Sequence, residues 1–431
     1  MDGTHAGASH GALSGSLRRL AVTPALVGFV ALPRARANPH PAYRALRKMD
    51  PVHRSPLGAW VFSRHRDVVD CLRNGTLSVD ERSLDLEWLR SRRLTRMLFH
   101  PSSGEQKSAS RELMERLMLF SDPPDHTRLR SLVSKAFTPR AVAAIEPRVR
   151  DILDELLEKL VSKGSMEIMS ELAYPLPAKV ICEMLGVPAD EHPLIVAHAP
   201  IVARRLDPIM SPEVIAVCDR STQELTVYIE DLIERRRKDP GDDLLSALMA
   251  AQDEGASLSH DELVATVILL LIAGHETTAN LLGNALLALL RNPRALQQFR
   301  EDANLDHSAI EEFLRFDGPI QLTQRITVEP LSVAGEMIPA GRMIILCLSA
   351  ANRDPEVFER PNSLDLARNP NPHLAFSAGG HFCLGAALAR LEARIALRTL
   401  VDRLDGMEVV GPVRWRSNFT IRGLQALQLR W

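Results

Sequence analysis

The sequence predicts a mainly α fold with small β-sheets, organised as one large domain. Three observations carry this. Apolar residues recur at helical spacing along most of the chain, strand-like runs are few and short, and one apolar stretch beginning at Ser259 is long enough to cross a whole domain. No Gly/Ser-rich linker divides the 431 residues. The chain therefore reads as one large domain. A chain of this size buries about three quarters of the surface it exposes when unfolded, enough for a deep interior site.

Taken in order, residues 1–16 are rich in Gly, Ser, Ala and His and lack the apolar groups a core needs. Arg18-Arg19, the run Leu20–Leu32 and Ala35-Arg36-Ala37 follow. This resembles a secretory signal, but Pro24 interrupts the run, and a bilayer-spanning helix needs about 20 apolar residues. A surface docking segment is the preferred reading. Ala59–Ser63 reads as a short strand. Arg140–Lys163 places Ile145, Val149, Ile152, Leu156 and Leu160 on one helical face. Glu213–Lys238 ends on Arg235, Arg236, Arg237 and Lys238, which suits the negative end of a helix dipole.

Ser259 and Glu262 have the spacing of a capping box, and apolar residues continue to Leu290 before Asn292-Pro293 stops the helix. About 31 residues at about 1.5 Å each give a rod of about 46 Å. Its stretch Leu263–Gly274 is apolar on nearly all sides and reads as a core helix, not a membrane span. Ile326–Val333, Met343–Leu348 and Leu424–Trp431 read as strands, with turns at Gly335 and Gly341. Asn352–Pro372 is rich in Pro, Asn, Asp and Arg and reads as a long irregular loop. Ala386–Leu404 returns to helical spacing.

Composition excludes several functions. Lys+Arg number 52 against Asp+Glu 54, a net charge of -2, so no basic excess points to a nucleic-acid partner. The five cysteines, Cys71, Cys182, Cys218, Cys347 and Cys383, are widely spaced without a CxxC pair. This argues against a disulfide scaffold or a structural zinc site and fits a reducing cytoplasm. Four of them read as small buried hydrophobes.

Cys383 differs. Phe376-Ser377-Ala378-Gly379-Gly380-His381-Phe382-Cys383-Leu384-Gly385 leads into the helix at Ala386. A thiol near a helix N-terminus meets unpaired N–H groups and the positive dipole end, which favour the thiolate. The glycines leave the sulfur unshielded. From these residues alone Cys383 is a ligand to one metal, a nucleophile or a buried thiol beside a turn.

The pattern F-x-x-G-x-H-x-C-x-G before an Ala-rich helix resembles the haem-binding loop of the cytochromes P-450, the haem-thiolate monooxygenases. Three further motifs fall in the family's order. Ala273-Gly274-His275-Glu276-Thr277-Thr278 resembles its oxygen-activation motif, Glu312-x-x-Arg315 its E-x-x-R, and His126-x-x-x-Arg130 its propionate-binding pair. The likeness runs from about Pro39 to the C-terminus. It implies a single cytochrome P-450-type domain over residues 39–431, with the long central helix over the haem and residues 1–38 as an N-terminal extension.

The resemblance assigns roles residue by residue. Cys383 becomes the axial thiolate ligand of haem b (iron protoporphyrin IX), with Phe376, Gly385 and Ala273 around the cofactor. His126, Arg130, Arg325 and His381 bind the propionates, Arg because its fork matches a carboxylate. Glu276 and Thr277 become the acid and alcohol that deliver protons for O₂ activation. A Glu in an apolar helix is costly unless paired or hydrated, so a bland core role is disfavoured. His275 reads as a packed, neutral ring. Glu312 and Arg315, joined by Arg368 of the long loop, become structural support for the Cys loop.

Leu269, Ile272, Ile320, Gln321 and Phe419, with Leu98 and Phe99, are the implied substrate contacts; all but Gln321 are apolar, which points to a mostly hydrophobic small molecule. The chain has neither a GxGxxG turn nor a Cys cluster. Electrons from NAD(P)H then come through a separate ferredoxin or flavodoxin with its reductase. Arg128, Lys135 and Arg390 are candidates to meet that acidic partner. The rival readings are a peroxygenase, a haem sensor or carrier, and a thiol hydrolase.

Overall fold

Ser259 caps the central helix as its spacing predicts. The Glu262 N–H donates to Ser259 Oγ (3.3 Å) and Glu262 Oε2 accepts the Ser259 N–H (2.8 Å), satisfying two groups that a helix start leaves open. The helix runs over His260–Leu290, 31 residues. A computed structural model describes residues 37–55, 58–85, 87, 108–207, 210–251 and 257–431 of the chain. Expectations for residues 1–36, and for Leu98 and Phe99, lie outside the described residues.

The helices Pro175–Met184, His192–Ala203, Pro212–Lys238, Asp306–Asp317 and Ala386–Arg403 pack around the central helix. It passes for a membrane span by length and composition, but buried residues of other elements cover most of it. One stripe escapes. Ala273 is exposed, and Leu270, Gly274 and Thr277 are partly so, while their neighbours are buried. These four stand at i, i+3, i+4 and i+7, one face of a helix. An accessible face on a rod through the core borders interior space.

A five-stranded sheet takes the order Val52–Arg54, Trp60–Phe62, Met343–Cys347, Leu322–Thr327, Leu77–Ser78. Trp60–Phe62 runs parallel to Met343–Cys347, and the other pairs are antiparallel. Arg325 sits opposite Ile344 in this register. The four cysteines expected in the core are buried and free, and Asn352–Pro372 contains neither helix nor strand.

Three expected elements are divided. The helix over Arg140–Lys163 splits into Pro139–Ala144 and Glu146–Val161, because Pro147 has no N–H to continue the ladder. The strand over Ile326–Val333 ends at Thr327. Leu331–Val333 forms a separate hairpin with Glu336–Ile338, turning on Ala334 (φ 49°) and Gly335 (φ 80°), a positive-φ pair that matches strand twist. Leu424–Trp431 divides at Leu427, whose N–H donates to Glu167 Oε1. Leu424–Ala426 pairs with Arg414–Trp415, and Gln428–Arg430 with Ser165–Glu167.

Candidate functional site

The loop before Ala386–Arg403 is a tight, self-bonded turn. The Cys383 N–H donates to Phe376 O (2.9 Å) and the Phe382 N–H to Gly379 O (3.1 Å). Gly379 has φ 69°, and a Cβ there would lie 2.6 Å from Leu72 O, so only glycine lets the loop seat on the end of the helix His65–Arg73. Phe376 is buried, with the Arg390 guanidinium 4.5 Å from its ring centre.

Cys383 is accessible, yet protein surrounds it closely enough that burial pushes its thiol pKa up, offset in part by a hydrogen bond from the Gly385 backbone. The expected preference for a free thiolate is therefore corrected. The thiol precedes the N-cap Gly385 by two positions, where the helix end is too weak to overcome desolvation. An anionic sulfur here needs a cation bound to it.

Across the loop, the four expected propionate ligands meet. The His126 ring, on the helix Asp125–Ala136, stacks on His381 with centres 4.0 Å apart. Arg130 Nη2 donates to Phe382 O (2.6 Å), and Arg325 Nη1 donates to Gln324 O (2.7 Å). Two buried nitrogens find no partner: His126 Nε2 and Arg325 Nη2. Burial, then Arg130, lowers the His126 pKa. Burial, then His126 and Arg325, takes His381 down to about 3, and burial takes Arg325 down to about 10. Two arginine cations beside two neutral imidazoles, with open donors among them, are a site for a strong anion.

On the central helix, Glu276 and Thr277 belong to separate networks. Thr277 Oγ donates to Ala273 O (2.6 Å) on the accessible stripe. Glu276 is 2% exposed. Its two oxygens accept from Arg416 Nη1 (2.8 and 3.0 Å), and Oε2 also accepts from Asn280 Nδ2 (3.0 Å). Tyr174 donates to Asn280 Oδ1 (3.3 Å), and its ring lies 4.8 Å from the Arg416 guanidinium. His275 is fully buried edge-on to Tyr174. Burial, then Arg416, takes it down to about 4, so it is neutral and packed as expected. The sequence announced that Glu276 needs a partner, but nothing marked Arg416 as that partner. The accessible Leu270 was likewise missed, though helical periodicity from Thr277 points to it.

Glu312 and Arg315 are both fully buried, joined by two 2.7 Å bonds. Arg368 Nε reaches Glu312 Oε2 at 3.0 Å, the expected link to the long loop. The other Arg315 bonds go to the carbonyls of Asn352, Pro361 and Ser363.

Two of the expected partner-facing cations also pair within the chain. Arg128 pairs with Glu262. Arg390 pairs with Glu311 (2.6 and 2.8 Å), whose pKa falls to about 2 because Arg390 and His373 outweigh its burial. Among the substrate candidates, Leu269 and Ile272 pack into the main core. Ile320 bridges Ile421, and Phe419 packs beside the buried Tyr43–Leu46–Val61 cluster. Gln321 is not an open polar contact: its amide donates to Gly318 O (2.8 Å) and accepts from Tyr43 (3.4 Å).

These residues fit a flat metal-bearing group with paired anionic arms. The accessible thiol offers a metal ligand, the unpartnered nitrogens of His126 and Arg325 offer anion donors, and Ala273-Gly274 leaves an accessible stripe with little side chain. Haem meets each requirement.

A family model described as Cytochrome P450 matches residues 100–407. The chain is 41% identical over 398 residues to a vitamin D(3) 25-hydroxylase of Pseudonocardia autotrophica, covering 90% of this chain and 93% of that protein. It is 38% identical over 404 residues to the cytochrome P450 monooxygenase PikC of Streptomyces venezuelae, covering 92% and 91%. Among solved structures, P450BioI in complex with acyl carrier protein bearing hexadec-9Z-enoic acid superposes with a TM-score of 0.85 at 33% identity, covering 93% of this chain and 99% of that one.

Proposed function

The chain belongs to the cytochrome P450 family of monooxygenases, and from that premise we propose that it hydroxylates or epoxidises a hydrophobic small molecule with one oxygen atom of O₂, using electrons that originate in NAD(P)H. The observation that carries this reading is the accessible Cys383 thiol set near buried His126 and Arg325 nitrogens that have no partner. A thiol hydrolase would have no use for those donors, and a thiol raised by burial is a poor free nucleophile.

The family carries haem iron with a thiolate ligand, and here Cys383 would supply the sulfur. Bound haem contributes electron donation from sulfur to iron, which favours O–O cleavage. The protein's own residues do the rest. His126, Arg130, Arg325 and His381 would hold the propionates, the two arginines by charge and the two imidazoles by hydrogen bonds. The Glu312–Arg315–Arg368 cluster holds the long loop that leads to Phe376 and Cys383. Thr277 presents a hydroxyl on the accessible stripe, and the Glu276 carboxyl, one residue away, is the acid of the pair. Leu270 and Ala273 give the substrate an apolar wall.

One relative is named a vitamin D(3) 25-hydroxylase and one similar solved structure is a complex with a hexadec-9Z-enoic acid-bearing carrier protein; both molecules are largely apolar, which supports a hydrophobic substrate here. The electron donor in this reading is a separate ferredoxin or flavodoxin with its reductase, in the cytoplasm. Residues 39–431 form the catalytic unit, with 1–38 as an extension. The test is spectral. Reduced protein under carbon monoxide should show the red-shifted Soret band of thiolate-ligated haem, and Cys383→Ala should abolish it. A panel of hydrophobic ligands scored by haem spin-state shift then narrows the substrate. A colourless purified protein sinks the reading.

A further inference from the structure

We propose that Asp207 is a positioning residue that holds the Phe419–Thr420 turn against the substrate site, and that through Phe419 it sets how large a molecule the site admits. The proposal rests on the monooxygenase reading and deepens it.

Asp207 follows the short turn Arg204–Leu206, between the helices His192–Ala203 and Pro212–Lys238. Its Oδ1 accepts the N–H groups of Phe419 (3.2 Å) and Thr420 (2.8 Å). The Thr420 hydroxyl donates in return to Leu206 O (2.9 Å). These bonds join segments 212 to 214 positions apart in the chain.

Phe419 and Thr420 stand at the tip of a hairpin, which the Arg416 N–H closes by donating to Gly423 O (3.0 Å). Its base rests on the central helix. Gly423 packs on Asn280 there, and Asn284 Nδ2 donates to Arg422 O (3.2 Å). The returning limb lies along the implied substrate contacts Ile320 and Gln321. Ile421 bridges Ile320, and the Gln321 N–H donates to Thr420 O (2.9 Å). Asp207 takes the tip from the other side. The two helices it connects also pack on the central helix. It therefore closes an arch whose two feet stand on the helix that carries the accessible stripe.

Phe419 is half-buried beside the Tyr43–Leu46–Val61 cluster. Apolar contact has no preferred direction, so packing alone does not fix where the ring stands. Bonds to the main-chain N–H groups do, because they need alignment, and a carboxylate acceptor makes them stronger than neutral ones. Burial raises the Asp207 pKa, the Thr420 and Phe419 N–H groups pull it back in part, and Arg204 acts from a distance. No ion pair reaches Asp207 among the described residues, so the turn itself carries this charge.

The experiment does not depend on the natural substrate. Holoenzyme is titrated with two azoles that coordinate haem iron, imidazole as the small probe and clotrimazole as the bulky one, and binding is read from the Soret shift. In Asp207→Ala the turn loses its tie and yields to the larger probe, so the clotrimazole Kd should fall about fivefold or more relative to the imidazole Kd. Asp207→Asn keeps an acceptor and should hold the parental ratio within about twofold. Phe419→Ala should lower the ratio as well, and Asp207→Ala added to it should change nothing further, since both act through one ring. An Asp207 that only supports the fold would shift both probes together and add to Phe419→Ala. The proposal is overturned by an unchanged ratio in Asp207→Ala, by like behaviour of Asn and Ala, or by additivity with Phe419→Ala.

Should Asp207→Ala fail to fold, Thr420→Val removes the bond to Leu206 O at nearly constant shape. It should shift the ratio in the same direction, and an unchanged ratio there also overturns the proposal. Hydrogen exchange of the peptide bearing the Phe419 and Thr420 amides follows the tie with or without haem and should quicken in either variant. Exchange at the parental rate counts against the tie in the same way. Failure of the tie is separate from failure of the family reading, which shows as a missing thiolate–carbon monoxide band in the parent.

Discussion

Glu312 and Glu276 are both buried carboxylates on helices, and each is paired with an arginine, but they are held in different ways. Glu312 accepts two bonds from Arg315, one from Arg368, one from Asn371 and one from the Asp365 backbone. Its arginine is fully buried and bonded to three carbonyls besides. Glu276 accepts from a single Arg416 nitrogen and from Asn280. The first pair cannot shift without breaking the loop around it, whereas the second can open by moving one partly exposed side chain. The number of donors around a buried charge, more than its burial, separates a fixture from a moving part.

The largest effect that tests this contrast is Glu312→Ala. It strands Arg315 and Arg368 in the interior, and loss of one member of a buried pair costs about 3–5 kcal/mol. Denaturant unfolding should show that loss, and haem content should fall because the loop leading to Cys383 loses its anchor. Glu276→Ala should cost less, since Arg416 can turn to solvent. Equal costs for the two would remove the distinction.

His275 gives the next effect, through pH. Its folded pKa is about 4 against an ordinary 6.5. Between these values the unfolded chain binds a proton that the folded chain refuses, so stability falls as pH drops below 6.5 and the loss levels off near 4. The full term is about 3 kcal/mol. His40 is lowered to about 4 in the same way, so His275→Phe should flatten part of this slope and not all of it. In Arg416→Gln the slope should also soften, because Arg416 contributes to the lowering. A slope unchanged in His275→Phe would mean the ring is not held neutral.

Much of this was legible because its signals are local. The Ser259–Glu262 box, the Asn292-Pro293 stop and the glycines around Cys383 each act within a few residues, and they delimited the central helix and the Cys loop. Glu312, Arg315 and Arg368 were found through a motif. What stayed hidden depends on distant contacts. A buried Glu276 demands a cation, but no local rule chooses one among 52 Lys and Arg residues, and Arg416 lies 140 positions away. Strands of two or three residues, such as Leu77–Ser78 and Glu408–Val409, are too short for a period of two to register. The thiol of Cys383 was misjudged because burial, a tertiary quantity, outweighs the helix end that sequence reveals.

Gly423→Ala separates the Glu276 network from the rest of the core. Its Cβ would overlap Asn280 Oδ1 and crowd Asn280 Cγ, so Asn280 must swing away from Glu276 and Tyr174. Overpacking of this kind costs about 1–3 kcal/mol. Thermal unfolding should register it, and peroxide release should rise because Glu276 loses its second donor. Unchanged coupling in a folded Gly423→Ala protein would show that Asn280 does not help place the acid.

The smallest effect belongs to a third carboxylate–arginine pair, Arg128 with Glu262, at the solvent-facing start of the central helix. Their side chains are 32% and 24% exposed. Glu262 also accepts the Ser259 N–H in the capping box. Water competes for both charges here, so Arg128→Ala should cost less than about 1 kcal/mol. That cost should shrink further in high salt, which screens exposed charges far more than buried ones. Unfolding measured at low and high salt for Arg128→Ala, Arg416→Ala and Arg315→Ala should thus rank the three pairs by salt sensitivity, Arg128 first and Arg315 last. If Arg416 ranks with Arg315 in both cost and salt insensitivity, Glu276 is locked like Glu312, and the idea of a pair able to open is lost.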